Sequence, residues 1–276
     1  MALTVNTNMA SMNALNALNK GSRQLAGAFR KISSGLRITQ AGDDAAGLAV
    51  AENLDAAGRS LRQAMRNTND GISVIQTAEG ATAEVANILK RMRELAIESS
   101  SETLADTERA YIQDEYEQLE GEIDRISAVT EFNGVALADG VTGTIDVQVG
   151  INDSADDRIA ITLGDLQAAT LGVDTGSLDL SSAAGAQGAL DDIDTALDTV
   201  NGYRSSYGAV QNRLESALTN LETYTENLSA AESQVRDADF AFETAEMAKF
   251  QIMQQAGVAV LGQANAMNQA ALRLVG

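Results

Sequence analysis

The chain has 276 residues, a formal net charge of −20 and no Pro, Cys, His or Trp. Without His or Cys there are no imidazole or thiolate zinc ligands, no Cys nucleophile and no His-centred triad or general base. Without Pro the chain lacks the strongest helix breaker, and an aromatic content of 4% leaves no large aromatic core.

The charge is unevenly placed. Residues 1–46 carry Lys20, Arg23, Arg30, Lys31 and Arg37 against Asp43 and Asp44, while residues 240–276 balance Glu243 and Glu246 with Lys249 and Arg273. The middle therefore holds the whole negative surplus. That sign disfavours non-specific nucleic-acid binding. It predicts ends that are packed away and a middle that faces water. Met1–Gly21 has neither the basic stretch nor the continuous apolar run of a signal peptide, so no cleaved signal is expected. No run nears the roughly 20 apolar residues of a membrane span.

In chain order, residues 1–20 are Asn-rich and weakly amphipathic. A heptad frame then runs Leu15, Leu18, Ser22, Leu25, Phe29, Ile32, Leu36. Ser33-Ser34-Gly35 marks a helix end, Gly35 being free to take the left-handed conformation. Ala41-Gly42-Asp43-Asp44 is a joint, and Asp43 or Asp44 can N-cap the next helix. That helix is predicted from about Ala45 to about Ser99. It carries two seams, Leu61-Met65-Thr68-Ile72-Ile75 and Val74-Ala78-Ala81-Val85-Ile88-Met92-Leu95, which implies two neighbours. Ser99-Ser100-Ser101 breaks it. Thr103 and Asp106 offer a capping start for a further helix with the stripe Ile112, Tyr116, Leu119, Ile123, Ile126.

Asn133-Gly134 is a turn signal. The pattern then changes to period 2 over Thr144–Val149 and again over Arg158–Leu163, with Ile145, Val147, Ile159 and Ile161 on one face. This predicts a β-hairpin around an acidic loop. Gly164–Leu171 is expected to form one short helix, and the Gly/Ser/Ala/Asp-rich residues 172–188 a loop. From Leu190, Ile193, Leu197 and Val200 the chain enters its longest seam. That seam reads Tyr203, Tyr207, Val210, Leu214, Ala217, Leu221, Tyr224, Leu228, Ala231, Val235. Alternating steps of four and three describe a rod roughly 50 Å long that needs partner helices. After Arg236-Asp237-Ala238-Asp239 a last frame follows: Phe250, Met253, Gly257, Val260, Ala264, Met267, Ala271, Leu274.

Candidate chemistry is sparse. Asp153, Asp156 and Asp157 could ligate a hard cation, but they lack EF-hand spacing, and a solvated turn is the simpler reading. The carboxylates of Asp114-Glu115-Tyr116-Glu117 suit a wet helix face better than catalysis. Gly42–Gly47 lacks the Lys of a phosphate loop. Asn152-Asp153-Ser154 and Asn227-Leu228-Ser229 match the glycosylation sequon, a weak signal alone. Met9, Met12, Met247, Met253 and Met267 are seam fillers rather than metal ligands. No enzyme activity, metal or cofactor is expected.

The stretches Lys31-Ile32-Ser33-Ser34-Gly35-Leu36-Arg37-Ile38 and Gly42-Asp43-Asp44-Ala45-Ala46-Gly47 resemble the N-terminal signature of bacterial flagellins. So do Asn67-Thr68-Asn69-Asp70-Gly71-Ile72-Ser73, Arg91-Met92-Arg93-Glu94-Leu95-Ala96, Phe132-Asn133-Gly134 and Val147-Gln148-Val149-Gly150. At the other end Gly208–Leu214, Gln254-Gln255-Ala256-Gly257 and Gln263-Ala264-Asn265 resemble the family's rod and terminal helix. Two departures stand out. The family's usual Pro is absent at Met267-Asn268-Gln269, so the last helix is expected to continue unkinked. Only the segment from Phe132 to Leu190 joins the two helical halves, so large outer domains are missing.

The resemblance implies a mainly α fold: long antiparallel helices form a coiled-coil rod with a small β-hairpin, and the terminal helices pair. It divides the chain into 1–45 and 236–276 (inner terminal domain), 46–139 and 186–235 (rod helices), and 140–185 (hairpin and loop). It implies a filament subunit exported unfolded by a type III-like route and polymerised at the distal tip. A hook–filament junction protein of the same superfamily is the alternative. The terminal seams Leu15, Leu18, Leu25, Phe29, Ile32, Leu36, Phe250, Met253, Val260, Met267 and Leu274 would drive self-assembly, their ends being unfolded in the monomer. Further expected partners are an export chaperone, the filament cap, hook-junction proteins and a host innate immune receptor contacting Arg91, Leu95 and Glu115; no nucleic acid or membrane is expected.

Overall fold

The computed structural model describes residues 7–176 and 178–275, those after 266 by backbone course alone. The seam positions Met267, Ala271 and Leu274 therefore lie outside the described side chains. Among the described residues six α-helices carry the fold: α1 Met9–Ser34, α2 Ala45–Ser99, α3 Asp106–Val129, α4 Ala168–Leu171, α5 Ala183–Arg236 and α6 Phe240–Val275. Two antiparallel strand pairs interrupt them: β1 Glu131–Phe132 with β2 Val135–Ala136, and β3 Thr144–Gln148 with β4 Arg158–Thr162. The chain divides into two compact units, residues up to Gly58 together with those from Glu226, and residues Arg59–Thr225.

Local chemistry sets the helix ends. Gly35 closes α1 in the left-handed conformation at φ 72°, its N–H bonded to Lys31 O at 2.9 Å. Asp44 starts α2 by accepting from Gly47 N–H at 2.9 Å. Asp43 closes the preceding turn instead, accepting from Thr39 N–H and Oγ1–H and from Gln40 N–H at 2.8–3.2 Å. Those bonds, the Thr39 hydroxyl foremost, hold its carboxyl below the usual Asp range. Neither Thr103 nor Asp106 caps α3. Ala105 takes the cap position, and Glu108 reaches back to accept its N–H at 2.9 Å. α5 begins at Ala183, within the stretch read as loop, because Ser182 accepts from Gly185 N–H and Ala residues fill the first turns. The expected Gly164–Leu171 helix shrinks to Ala168–Leu171. α6 runs unbroken through Met267-Asn268-Gln269, as expected without the Pro.

In the second unit α2, α3 and α5 share one core. Val85, Leu89, Met92 and Leu95 meet Ile112, Tyr116 and Ile123 of α3 and Ile193, Ala196 and Val200 of α5. The second seam on α2 thus meets both α3 and α5, while Ile72 and Ile75 of the first face the hairpin strands and α5. Both helices run antiparallel to α2: Arg91 pairs with Glu115 and Ser99 with Arg109 on α3, and Arg93 pairs with Asp194 and Glu79 with Arg204 on α5. The α2–α3 turn is knitted by buried Arg109, which donates to the carbonyls of Ser99, Ser101 and Leu104. The loop ahead of α5 is sewn to α3. Asp124, Glu120 and Gln113 accept from the N–H groups of Ala168, Thr175 and Leu180 at 2.8–3.1 Å. Tyr116 donates its hydroxyl to Val173 O at 2.9 Å, and burial pushes its pKa up. Asp114, Glu115 and Glu117 stay exposed on the wet face, while Asp124, Glu120 and Gln113 satisfy loop amides.

The turn signal at Asn133-Gly134 becomes a two-residue hairpin between β1 and β2. Both residues have positive φ, 51° and 78°, the combination a type I′ turn requires.

In the first unit α1 and α6 pair antiparallel. Asn8 Nδ2 donates to Ala264 O at 3.0 Å, and Lys31 meets Glu243 at 3.0 Å. Two backbone bonds cross-link the joints behind them: Arg37 N–H to Arg236 O at 2.7 Å and Ala238 N–H to Gly35 O at 2.9 Å. Ile38 is buried beside them.

Candidate assembly surfaces

The α1–α6 seam follows a heptad line, displaced in part from the predicted one. On α1 the covered positions are Ala14, Leu18, Gly21, Leu25, Ala28 and Ile32; on α6 they are Glu243, Met247, Phe250, Gln254, Gly257, Leu261 and Ala264. Leu18, Leu25, Ile32 and Phe250 are therefore seam residues, and Leu36 is half-covered at the joint. Leu15, Phe29, Met253 and Val260 are not; each projects outward, Phe29 at 64% exposure. Small residues at Gly21 and Ala28 let the helices approach, and this rotates the larger neighbours out. The terminal helices pair, as the resemblance implies. The two helices cover one face of each other, and the opposite faces stay bare. Phe240, Phe242, Ile252 and Val258 of α6 are exposed as well.

The second surface is the β3–β4 hairpin. Ile145 pairs with Ile161 and Val147 with Ile159. Val147, Ile159 and Ile161 are buried and Ile145 half-buried, against Val74, Ile75 and Ala78 of α2 and Tyr207, Val210 and Leu214 of α5. Gly71 makes the docking possible: a Cβ there would lie 2.9 Å from Val147 Cγ2. Gly164 N–H donates to buried Tyr207 Oη at 2.9 Å and ties the hairpin's exit to α5. The acidic loop is structural. Asp153 pairs with Arg158, and Asp157 Oδ2 accepts from Asn152 N–H at 2.9 Å. Among the described residues no three acidic side chains gather in a metal-binding group.

The third predicted surface is changed by the structure. Arg91 and Glu115 do meet, through Nε at 2.9 Å and Nη2 at 2.8 Å on Oε1, with Glu94 on the other side at 3.1 Å. The bond to Glu115 raises the Arg91 pKa. Leu95 is not the apolar centre of this patch: it is 1% exposed and belongs to the α2–α3–α5 core. A spacing of four puts both residues on one side of α2, but α3 covers the lower one.

Arg109 and the Lys31–Glu243 pair escape a reading of the sequence for function. Their signals are faint: a lone Arg in the first turn of an acidic helix, and a Glu on an apolar heptad line. Among the described residues no helix is long and apolar enough to cross a membrane.

Comparison with known proteins places this architecture. The bacterial flagellin N-terminal helical region matches residues 5–143, and the C-terminal helical region matches residues 190–275. A flagellin of Halalkalibacterium halodurans is 45% identical over 273 residues, covering 99% of this chain and 100% of that one. A flagellin of Bacillus subtilis is 40% identical over 306 residues with the same coverage. The crystal structure of Bacillus cereus flagellin aligns at a TM-score of 0.50 and 33% identity, over 60% of this chain and 94% of its own. A putative flagellar hook-associated protein from Vibrio parahaemolyticus shares the fold at a TM-score of 0.59 with 15% identity, over 71% of this chain and 100% of its own. With both helical regions matched and relatives aligned end to end, the chain belongs to the bacterial flagellin family.

Proposed function

We propose that this protein is the structural subunit of an extracellular bacterial flagellar filament that serves swimming motility, and that it has no enzymatic role. The observation that carries the reading is the end-to-end match to flagellins, joined to a terminal helix pair bare on its outer face. Copies that cover those faces head to tail, without closing a ring, build an open helical polymer. Seeding the purified protein and viewing it by negative-stain electron microscopy tests this: long filaments are expected. Short stubs or capped assemblies would favour the hook–filament junction alternative, and unassembled protein would overturn both.

The finer assignments rest on the family. Residues 1–45 and 236–276 form the inner terminal domain, 46–139 and 186–235 the rod, and 140–185 the hairpin and loop. The chain is exported unfolded and meets a chaperone, the filament cap and the hook-junction proteins. Leu15, Phe29, Met253 and Val260 are the strongest candidates for contacts between copies, because they are bare in the single chain. For the immune receptor, the contact surface reduces to Arg91 and Glu115 with Glu94. Binding of a receptor ectodomain to an Arg91→Ala/Glu115→Ala variant measures that contact, and affinity equal to the parent's would sink it.

A further inference from the structure

We infer that the Lys31–Glu243 pair selects the register in which α1 and α6 zip together, a choice that apolar packing leaves open. The inference rests on the helix pair and not on the filament reading.

In the observed register Leu18 faces Gly257; a Cβ on Gly257 would stand 3.1 Å from Leu18 Cδ1. The heptad lines then set Ala14 against Leu261, Leu18 against Gly257 and Ala28 against Met247, with Leu25 against Phe250 as the pair of large residues. Now slide α6 by one heptad so that Leu25 faces Gly257. Leu18 comes over Ala264, Gly21 under Leu261, and Ile32 replaces Leu25 opposite Phe250, so each register holds one pair of large residues. Packing alone therefore tolerates a second register, displaced by about 10 Å along the helix. A slide the other way sets Leu18 against Phe250 and leaves Glu243 facing Leu25 beside Gln24, away from Lys31, which its buried carboxylate rejects.

The tolerated slide is excluded by polar groups. Glu243 sits on the seam line, its side chain 8% exposed, and its carboxylate meets Lys31 Nζ at 3.0 Å. After the slide Glu243 would stand opposite position 39, beyond the end of α1 at Ser34, and Lys31 would face Gln251. A single polar contact within an apolar seam is a recognised device for fixing register, at some cost in stability. The bond from Asn8 Nδ2 to Ala264 O at the far end would be lost too. The cross-linked joints at Arg37–Arg236 and Gly35–Ala238 oppose the same slide, so the test must separate backbone joint from ion pair.

The chain has no Cys, so introduced pairs report register directly. Ala264→Cys with Ser11→Cys reports the observed register; Ala264→Cys with Leu18→Cys reports the slid one. Both pairs are oxidised in seeded filaments and in the soluble protein, on three backgrounds: the parent, Lys31→Leu/Glu243→Leu, and the exchanged pair Lys31→Glu/Glu243→Lys. The expected result is a slid-register cross-link at least about tenfold more abundant on the double-Leu background than on the parent. The charge exchange should return it to the parent's level. If the double-Leu protein cross-links only in the observed register, the joint alone sets it and the inference is overturned. Loss of both cross-links on that background would overturn it as well, since the pair would then serve stability and not register. Failure of the parent to form filaments would bear on the proposed function and leave the soluble-protein comparison intact.

Discussion

One turn of α2 separates Arg91, half-exposed and bonded to Glu115, from Leu95, sealed in the core. Leu95→Ala opens a cavity among α2, α3 and α5 and should cost about 2–5 kcal/mol, read as a lower unfolding midpoint in denaturant. Arg91→Ala removes only a solvent-screened pair, and its midpoint should match the parent's. A double substitution at these positions would confuse lost binding with lost folding, so receptor measurements belong on Arg91 and Glu115. Sequence spacing gave the shared side of the helix correctly; it could not tell which turn α3 would cover. Asp43 behaves differently, because its carboxyl is held below its ordinary value of 3.8 by the Thr39 and Gln40 donors. A group with a depressed folded pKa stabilises above its unfolded pKa and loses that stabilisation as the pH falls through the folded one. Parent and Asp43→Asn proteins should therefore differ in unfolding midpoint at neutral pH and converge in acid below 3.8. A constant difference down to the lowest pH would contradict the assignment.

Among the elements, α2 was the most legible, its ends at Ala45 and Ser99 being written in an N-cap Asp and a Ser run. The hairpin was equally readable, since strict alternation has no helical equivalent. The phase of the terminal seams was less so. Large apolar residues suggested a line through Leu15 and Phe29, whereas Gly21 and Ala28 make the actual contact, and small seam residues carry little periodic signal. The start of α5 was hidden in the same way by Gly and Ser mixed among its Ala residues. The hairpin gives the element-scale prediction. Val147 is buried over Gly71, so Val147→Asp places an unpaired carboxylate in that core, a loss on the order of 3 kcal/mol. The hairpin should come away from α2 and α5. We further expect altered helical parameters or arrested growth of filaments, because a small docked β element is suited to two nearly equal-energy contacts between copies. Unchanged parameters in electron micrographs would remove it from that role.

For the whole molecule, the family and the mainly helical fold were readable because motifs at both ends agree with the apolar repeat between them. Which faces remain bare was not readable, since it depends on how α1 and α6 cover each other. Deleting residues 240–276 strips α1 of its partner. Polymerisation should vanish while circular dichroism retains the helicity of α2, α3 and α5; long filaments from the truncated protein would refute the role given to the ends. The separation of charge from bare apolar surface has one more consequence. The negative surplus lies in the middle of the chain, and Phe29, Phe240, Phe242 and Ile252 stand exposed in the unit built from its ends. In colloidal terms the subunit is a block amphiphile, with one block that repels its own kind and one that adheres to it. Salt shortens the repulsion, with a Debye length of about 10 Å at 0.1 M and about 3 Å at 1 M, and leaves the adhesion in place. The critical concentration for filament growth should therefore fall as ionic strength rises, and measuring residual soluble subunit across a salt series reads it directly.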